Sequence, residues 1–364
     1  MPLRCDMGRA FITGWGLCTP LGSSAESTYE AVRAGKFTAK HSPAAGVVLA
    51  DAPSPRVCNL AIQVASESCG HAGWSDDDVR SSETALIIAT SKGPVEAWID
   101  PTRAQAIGLH EVAEDVARFV GLTGPRLTLS AACASGLHAL ARAKMLLEEG
   151  FDRVLVVAAE SSLHPIFIGS FKRLGVLAAE ICRPFDTHRD GFLVSESAAA
   201  VCVERLPRGT APAVEIESAI IAADASHLTS LDPAGVALRR VIRRSLAGRP
   251  VDLIHAHGTG TIMNDQIELD AIESLIEPSW EAPILFSHKG ALGHSLGAAG
   301  LVAVALNCMM HARDEVPGMP TCQNPLECRR VNLSHRCTSQ RVQRSLSLAA
   351  GFGGTLGAIT LKRR

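Results

Sequence analysis

Leu127-Thr128-Leu129-Ser130-Ala131-Ala132-Cys133-Ala134-Ser135-Gly136 is a short strand-like run that stops at small residues and turns straight into the helical pattern Leu137 to Glu149. That geometry puts the Cys133 thiol at a helix N-terminus. Unpaired backbone N–H groups and the positive end of the helix dipole favour a thiolate there. The small side chains of Ala131, Ala132, Ala134, Ser135 and Gly136 let a substrate approach the backbone, the logic of a nucleophile elbow. A lone cysteine is more often a small buried apolar residue, so the weight rests on this turn.

Outward from Cys133, apolar runs at 10–13, 85–89, 126–129, 154–158, 199–203, 213–216, 253–256, 284–286, 344–348 and 358–361 read as strands. Helical patterns fall at 25–34, 55–69, 136–149, 236–247, 265–275 and 296–310. Continuous apolar strands alternating with helices predict an α/β fold with buried, largely parallel sheets. The segment Leu206-Pro207-Arg208-Gly209-Thr210-Ala211-Pro212 is the best central break, dividing the chain into αβ halves at 1–207 and 208–364.

The chain has 364 residues, 47% hydrophobic and 4% aromatic, with a formal charge of −2 that gives no reason to expect nucleic acid or a membrane surface as partner. Its eleven cysteines are odd in number and scattered, which fits a reducing cytoplasm rather than a disulfide framework. The apolar run Ala298 to Met310 is too short to span a bilayer and reads as a buried core helix.

Two histidine motifs follow in the second half: His257 in His255-Ala256-His257-Gly258-Thr259-Gly260-Thr261, and His294 in Lys289-Gly290-Ala291-Leu292-Gly293-His294. His255 and His257 could mimic a metal pair, and Cys322, Cys328, His335 and Cys337 cluster in sequence. Neither set has clean zinc-ligand spacing, so no metal site is expected. The glycines of Gly290 to Gly300 lack the ending of a phosphate loop.

The Cys133 segment, the His257 segment, the stretch Lys289 to Gly300 and Gly351-Phe352-Gly353-Gly354-Thr355 resemble, in that order, the signature blocks of the β-ketoacyl-acyl carrier protein synthases. Phe11-Ile12-Thr13-Gly14-Trp15-Gly16, Arg183-Pro184-Phe185-Asp186 and Arg189-Asp190-Gly191-Phe192 are also similar to that family. The resemblance implies a thiolase-like fold, two pseudo-repeated αβ halves in alternating helix and sheet layers with the active site where they meet. It implies a decarboxylating Claisen condensation in fatty acid, polyketide or polyene synthesis. Cys133 would carry the acyl primer, and the backbone N–H groups of Cys133 and Phe352 would form the oxyanion hole. His257 and His294 would hold the malonyl thioester carbonyl, Lys289 would tune them, and Phe352 would gate the acyl pocket. Thr259 and Thr261 would contact phosphopantetheine, which the acyl carrier protein partner brings; no resident cofactor is implied. A homodimer, or a heterodimer with a related subunit, is expected.

The chain departs from the family in places. A glutamate is usual where Ala303 stands, so Lys289 is expected to be held by a carboxylate from elsewhere or to work in altered electrostatics. Ser195 and Ser197 replace glycines after Phe192, where a turn needing positive φ would be strained. Lys172, Arg173 and Arg183 are candidates for meeting the acidic carrier. The rival readings are a chain-length-factor-like partner subunit, which would commonly lack the nucleophile, and an acyltransferase or thioester hydrolase using the same cysteine. A thiolase proper would need a second cysteine near Gly351, where this chain has Phe352.

Overall fold

The structure, a computed structural model, describes residues 8–39, 55–99, 108–207 and 213–364. The five residues 208–212 of the expected central break lie outside that set.

The N-terminal strands are β1 (Phe11–Cys18), β2 (Thr84–Ala89), β3 (Arg126–Leu129), β4 (Arg153–Glu160) and β5 (Ser197–Glu204). Their order in the sheet is β3-β2-β4-β5-β1, with β3, β2 and β4 parallel and β5 and β1 antiparallel to their neighbours. The C-terminal strands are β6 (Val214–Ala223), β7 (Leu253–His255), β8 (Ile284–Phe286), β9 (Glu315–Val316), β10 (Asn332–Leu333), β11 (Thr338–Ser339), β12 (Arg344–Gly351) and β13 (Thr355–Arg363). Here β8-β7-β12-β13-β6 repeats the same pattern, parallel across β8, β7 and β12 and antiparallel across β13 and β6. A short β1–β6 pairing joins the two into one eleven-stranded sheet. The repeat makes β3 the counterpart of β8. The turn carrying Cys133 and the segment carrying Lys289 and His294 therefore leave equivalent strand ends.

Helices α1 (Ala25–Arg33), α2 (Arg56–Ala72), α3 (Asp76–Arg80), α4 (Val95–Ile99), α5 (Glu111–Val120), α6 (Ser135–Glu148) and α7 (Pro165–Arg173) belong to the first half. The second carries α8 (Val236–Leu246), α9 (Ile262–Glu273), α10 (Lys289–Leu292) and α11 (Ala299–Arg313). β4 and β5 are buried at every position, which is why they read as unbroken apolar runs rather than alternating ones. The segment Leu296–Arg313 is long and apolar enough to cross a membrane by composition, but 89% of it is buried inside the protein, so it is a core helix.

Helices α6 and α11 form the central layer and meet through glycines. A Cβ on Gly136 would lie 2.6 Å from the Leu301 backbone nitrogen, and one on Gly300 would lie 2.9 Å from Leu137. That close approach brings the two equivalent helix starts, and the residues just before them, to one place.

Candidate active site

Cys133 leaves β3 through a turn in which Ala132 holds φ 49°, a left-handed conformation that costs an alanine about 1 kcal/mol. Ser135 pins the turn: its Oγ accepts from the Ala131 N–H at 2.8 Å and donates to the Ala132 carbonyl at 2.6 Å. The C-terminal loop leans on the same turn, with Thr355 Oγ1 donating to the Ala131 carbonyl at 2.8 Å. A Cβ on Gly351 would come within 3.0 Å of the Cys133 nitrogen, so only glycine admits this approach.

The thiol itself departs from the sequence expectation. Burial pushes Cys133 up to about 11, and Glu160 adds to that, while Lys289, Lys92 and the Phe352 N–H act in the opposite sense. At neutral pH the group is a thiol awaiting deprotonation rather than a standing thiolate. The cost of desolvating the anion exceeds the help from the helix end.

Cys133, His257, His294, Phe352, Thr259 and Thr261 line one cavity of about 600 Å³. The two imidazoles stand edge to face, 5.5 Å between ring centroids. Both are held neutral, driven well below the usual histidine range by burial and then by the Lys289 ammonium. His294 Nδ1 is buried and has no hydrogen-bond partner. A proton there would meet no acceptor, which favours the tautomer carrying it on Nε2. The backbone of His294 is locked by the neighbouring extended segment, its N–H donating to the Leu193 carbonyl at 2.7 Å and its carbonyl accepting from the Ser195 N–H at 3.1 Å. That segment runs without positive φ at Ser195 or Ser197, so the strain anticipated there does not arise; the left-handed residue is Gly191, φ 147°.

Lys289 is buried behind the cavity and donates through Nζ to the carbonyl oxygen of His257. A buried carboxylate on α9 reaches the same backbone segment. Glu268 accepts from the His257 N–H at 2.6 Å and from the Gly258 N–H at 2.8 Å. Burial lowers the Lys289 pKa and raises that of Glu268, and each opposes the other's shift. One turn earlier, Asp265 accepts from the Gly260 N–H at 3.0 Å and the Phe185 N–H at 2.8 Å. The spacing Asn264-Asp265-x-x-Glu268 after the histidine motif is the sequence signal for both carboxylates, one that the motif reading passes over.

Aromatic rings enclose the thiol's far side: Phe171 lies 5.6 Å from Phe192 and 6.4 Å from Phe352, and Phe192 lies 5.0 Å from the His294 ring. Thr259 and Thr261 bond each other through their hydroxyls at 3.0 Å on the cavity wall. Lys172 and Arg173 are exposed at the end of α7, beside Leu174 at the cavity mouth; Arg183 is half-buried. The site thus offers a nucleophile, two neutral ring donors and backbone N–H groups around an enclosed, largely apolar space. That combination suits acyl transfer with stabilisation of a developing oxyanion or enolate.

Comparison with known proteins agrees. Residues 52–208 match the family model described as Beta-ketoacyl synthase, N-terminal domain, and residues 213–323 match Beta-ketoacyl synthase, C-terminal domain. The chain belongs to the beta-ketoacyl synthase family, whose members are condensing enzymes of the acyltransferase type. It is 33% identical to a putative polyketide beta-ketoacyl synthase 1 of Streptomyces cyaneus over 303 residues, 77% of this chain and 71% of the relative. It is 28% identical to a 3-oxoacyl-[acyl-carrier-protein] synthase 2 of Coxiella burnetii, over 98% of each chain. Among solved structures, a type II polyketide synthase acyl carrier protein in complex with its ketosynthase has a chain that superposes with TM-score 0.89 at 23% identity, covering 97% of this chain and 99% of its own. The ishigamide ketosynthase/chain length factor gives TM-score 0.89 at 23% identity, covering 98% and 100%. The fold is thiolase-like.

Proposed function

We propose that this chain is an active decarboxylating ketosynthase working on carrier-bound thioesters. The observation that carries this reading is the convergence of Cys133, His257 and His294 on one cavity, with Lys289 buried behind them. In the first half-reaction the Cys133 sulfur attacks the carbonyl of an acyl thioester, and the thiol proton passes to the departing carrier sulfur. The resulting oxyanion is held by the N–H groups of Cys133 and Phe352, and collapse releases the carrier thiol. The Phe352 backbone N–H counteracts the rise in the Cys133 pKa, which supports its place beside the sulfur.

In the second, a malonyl thioester enters with its carbonyl oxygen toward the Nε2–H groups of His257 and His294. The bond to the carboxylate breaks, carbon dioxide leaves, and the electron pair remains as an enolate hydrogen-bonded to the two rings. The enolate carbon attacks the acyl-Cys133 carbonyl, a new carbon–carbon bond forms, and the Cys133 sulfur departs. Neutral rings suit this work: an imidazole that donates without being a strong acid stabilises the enolate without protonating it prematurely.

The partner is an acyl carrier protein whose phosphopantetheine arm runs past Thr259 and Thr261, with Lys172 and Arg173 at the mouth meeting its acidic surface. Assembly as a dimer, with itself or with a related subunit, is part of the same reading. Retention of Cys133 favours the catalytic role over a chain-length partner. Incubating the purified protein with acyl- and malonyl-carrier protein tests it: carbon dioxide release coupled to ketoacyl product is the expected result. Hydrolysis without carbon–carbon bond formation would overturn it.

A further inference from the structure

Behind the catalytic residues runs a buried chain of polar side chains that the condensation steps leave unused. Asn307 on α11 donates through Nδ2 to Ser347 Oγ at 2.9 Å, and its Oδ1 lies 2.7 Å from His255 Nδ1. His255 Nε2 lies 2.8 Å from His288 Nδ1, and His288 Nε2 is buried with no partner. All four side chains are at most 1% exposed.

The hydrogen-bond polarity of this chain follows from its fixed end. With its amide donating to Ser347, Asn307 presents a carbonyl to His255, and a carbonyl can only accept. His255 therefore carries its proton on Nδ1 and offers a lone pair at Nε2. His288 donates into that lone pair from Nδ1, so its own lone pair is left at the orphaned Nε2. Both rings are neutral, held below the ordinary histidine range chiefly by burial. The chain is thus a line of aligned dipoles with its electron-rich end at His288.

His288 immediately precedes Lys289, and His255 stands two residues before His257 on β7. Lys289, His255, His294 and His257 all act electrostatically on His288. Asn307 is one helical turn beyond Ala303 on the same face of α11, so the chain occupies the side of the site on which α11 brings no carboxylate.

We propose that Asn307, His255 and His288 are positioning residues for the decarboxylation step: the His255–His288 hydrogen bond ties the segment leading into His257 to the residue preceding Lys289 and so orients the Lys289–His257 pair. The inference rests on the ketosynthase reading. The groups acting on Lys289 are Glu268 and Asp265 of α9, Cys133 before α6 and Cys182, and Lys289 in turn disfavours a charge on His255, His257, His288 and His294. The carboxylates support the ammonium and are untouched by changes in the chain.

The test compares the wild-type protein with Asn307→Leu, Asn307→Asp and His288→Gln in separated half-reactions. Acyl loading on Cys133 is read by intact mass, and malonyl-carrier decarboxylation by carbon dioxide release across a pH series. Asn307→Leu and His288→Gln are expected to lower the decarboxylation kcat by about 10- to 100-fold, with KM for malonyl-carrier and the loading rate nearly unchanged. Asn307→Asp, which still accepts from His255 Nδ1, keeps a decarboxylation rate close to that of the wild type. An unchanged decarboxylation kcat in Asn307→Leu, or loading and decarboxylation falling together, overturns the proposal. Absence of decarboxylation by the wild-type protein defeats the ketosynthase reading itself, a separate outcome.

Discussion

Glu268 accepts the backbone N–H of His257 at 2.6 Å while Lys289 donates to the carbonyl of the same residue, so one peptide segment is gripped by opposite charges from α9 and α10. The grip fixes the imidazole that faces the cavity without touching its ring. Lys289, in a chain with alanine at position 303, is held by the His257 carbonyl. Replacing Glu268 by Ala leaves two buried N–H groups unpaired, at a cost of about 1–3 kcal/mol each. We expect a clear drop in the urea midpoint of Glu268→Ala, and a smaller one in Glu268→Gln, which keeps one acceptor. Equal midpoints for wild type and Glu268→Ala would refute the grip.

Cys133 and His294 act in different half-reactions. Cys133→Ala removes the acyl acceptor and should abolish acyl-enzyme formation. His294→Ala should still load, yet lose about 100- to 1,000-fold in condensation, the usual effect of deleting one donor to a developing oxyanion. Loading that disappears in His294→Ala would show that the two steps are not divided this way.

The Cys133 thiol, pushed up to about 11 by burial, predicts a pH signature. The reactive thiolate is the minor form throughout the neutral range and grows about tenfold per pH unit below the pKa. Iodoacetamide labelling of Cys133, read by peptide mapping, should therefore still be rising at pH 9. A plateau already reached at pH 7 would contradict the buried-thiol description.

Buried neutral histidines predict acid sensitivity. His255 is lowered to about 3 and His311 to about 4, both mainly by burial. In the unfolded chain each takes up a proton near pH 6.5, whereas the folded protein resists until those lower values. The unfolded state binds more protons in between, so stability falls as pH drops below 6.5, by up to about 1.4 kcal/mol per unit for each such group. Urea midpoints measured from pH 7.5 to 5 should decline, and the slope should be shallower in His311→Gln. A flat series would show that these rings are already charged in the folded protein.

The glycine contact between α6 and α11 couples packing to chemistry. Gly136→Ala places a Cβ 2.6 Å from the Leu301 nitrogen, which is backbone and cannot rotate away. The helices must separate, at about 1–3 kcal/mol, and Cys133 moves relative to His294. Circular dichroism melts should show the lost stability and a condensation assay the lost rate; a fully active Gly136→Ala would mean the two helix starts need not be held this closely.

Strand positions are largely legible in the sequence, because buried strands such as Val154 to Ala158 and Ala199 to Val203 carry unbroken apolar runs. Helix α7 is not, since Pro165-Ile166-Phe167-Ile168 looks extended; Pro165 instead occupies the first helical turn behind His164, which accepts from the Ile166 N–H. Helix α9 starts at Ile262, earlier than the expected 265, because it follows directly on the Gly-Thr-Gly-Thr turn. Cys133, His257, Lys289 and His294 stand out through their motifs. Glu268 and the Asn307–His255–His288 chain do not, because their roles exist only once α9 and α11 fold back against β7, a relation no local pattern encodes. The thiolate expectation fails for a related reason: Cys133 is desolvated by packing against a cluster of Phe171, Cys182, Phe192 and Leu296, which lie far along the chain.

The most direct test of the ketosynthase reading is intact-protein mass spectrometry after incubation with a panel of acyl-carrier proteins, followed by peptide mapping and a malonyl-carrier chase. An acyl adduct mapped to Cys133 that disappears as ketoacyl product and carbon dioxide form is the predicted result. No adduct on the folded protein, or normal turnover in Cys133→Ala, would contradict it.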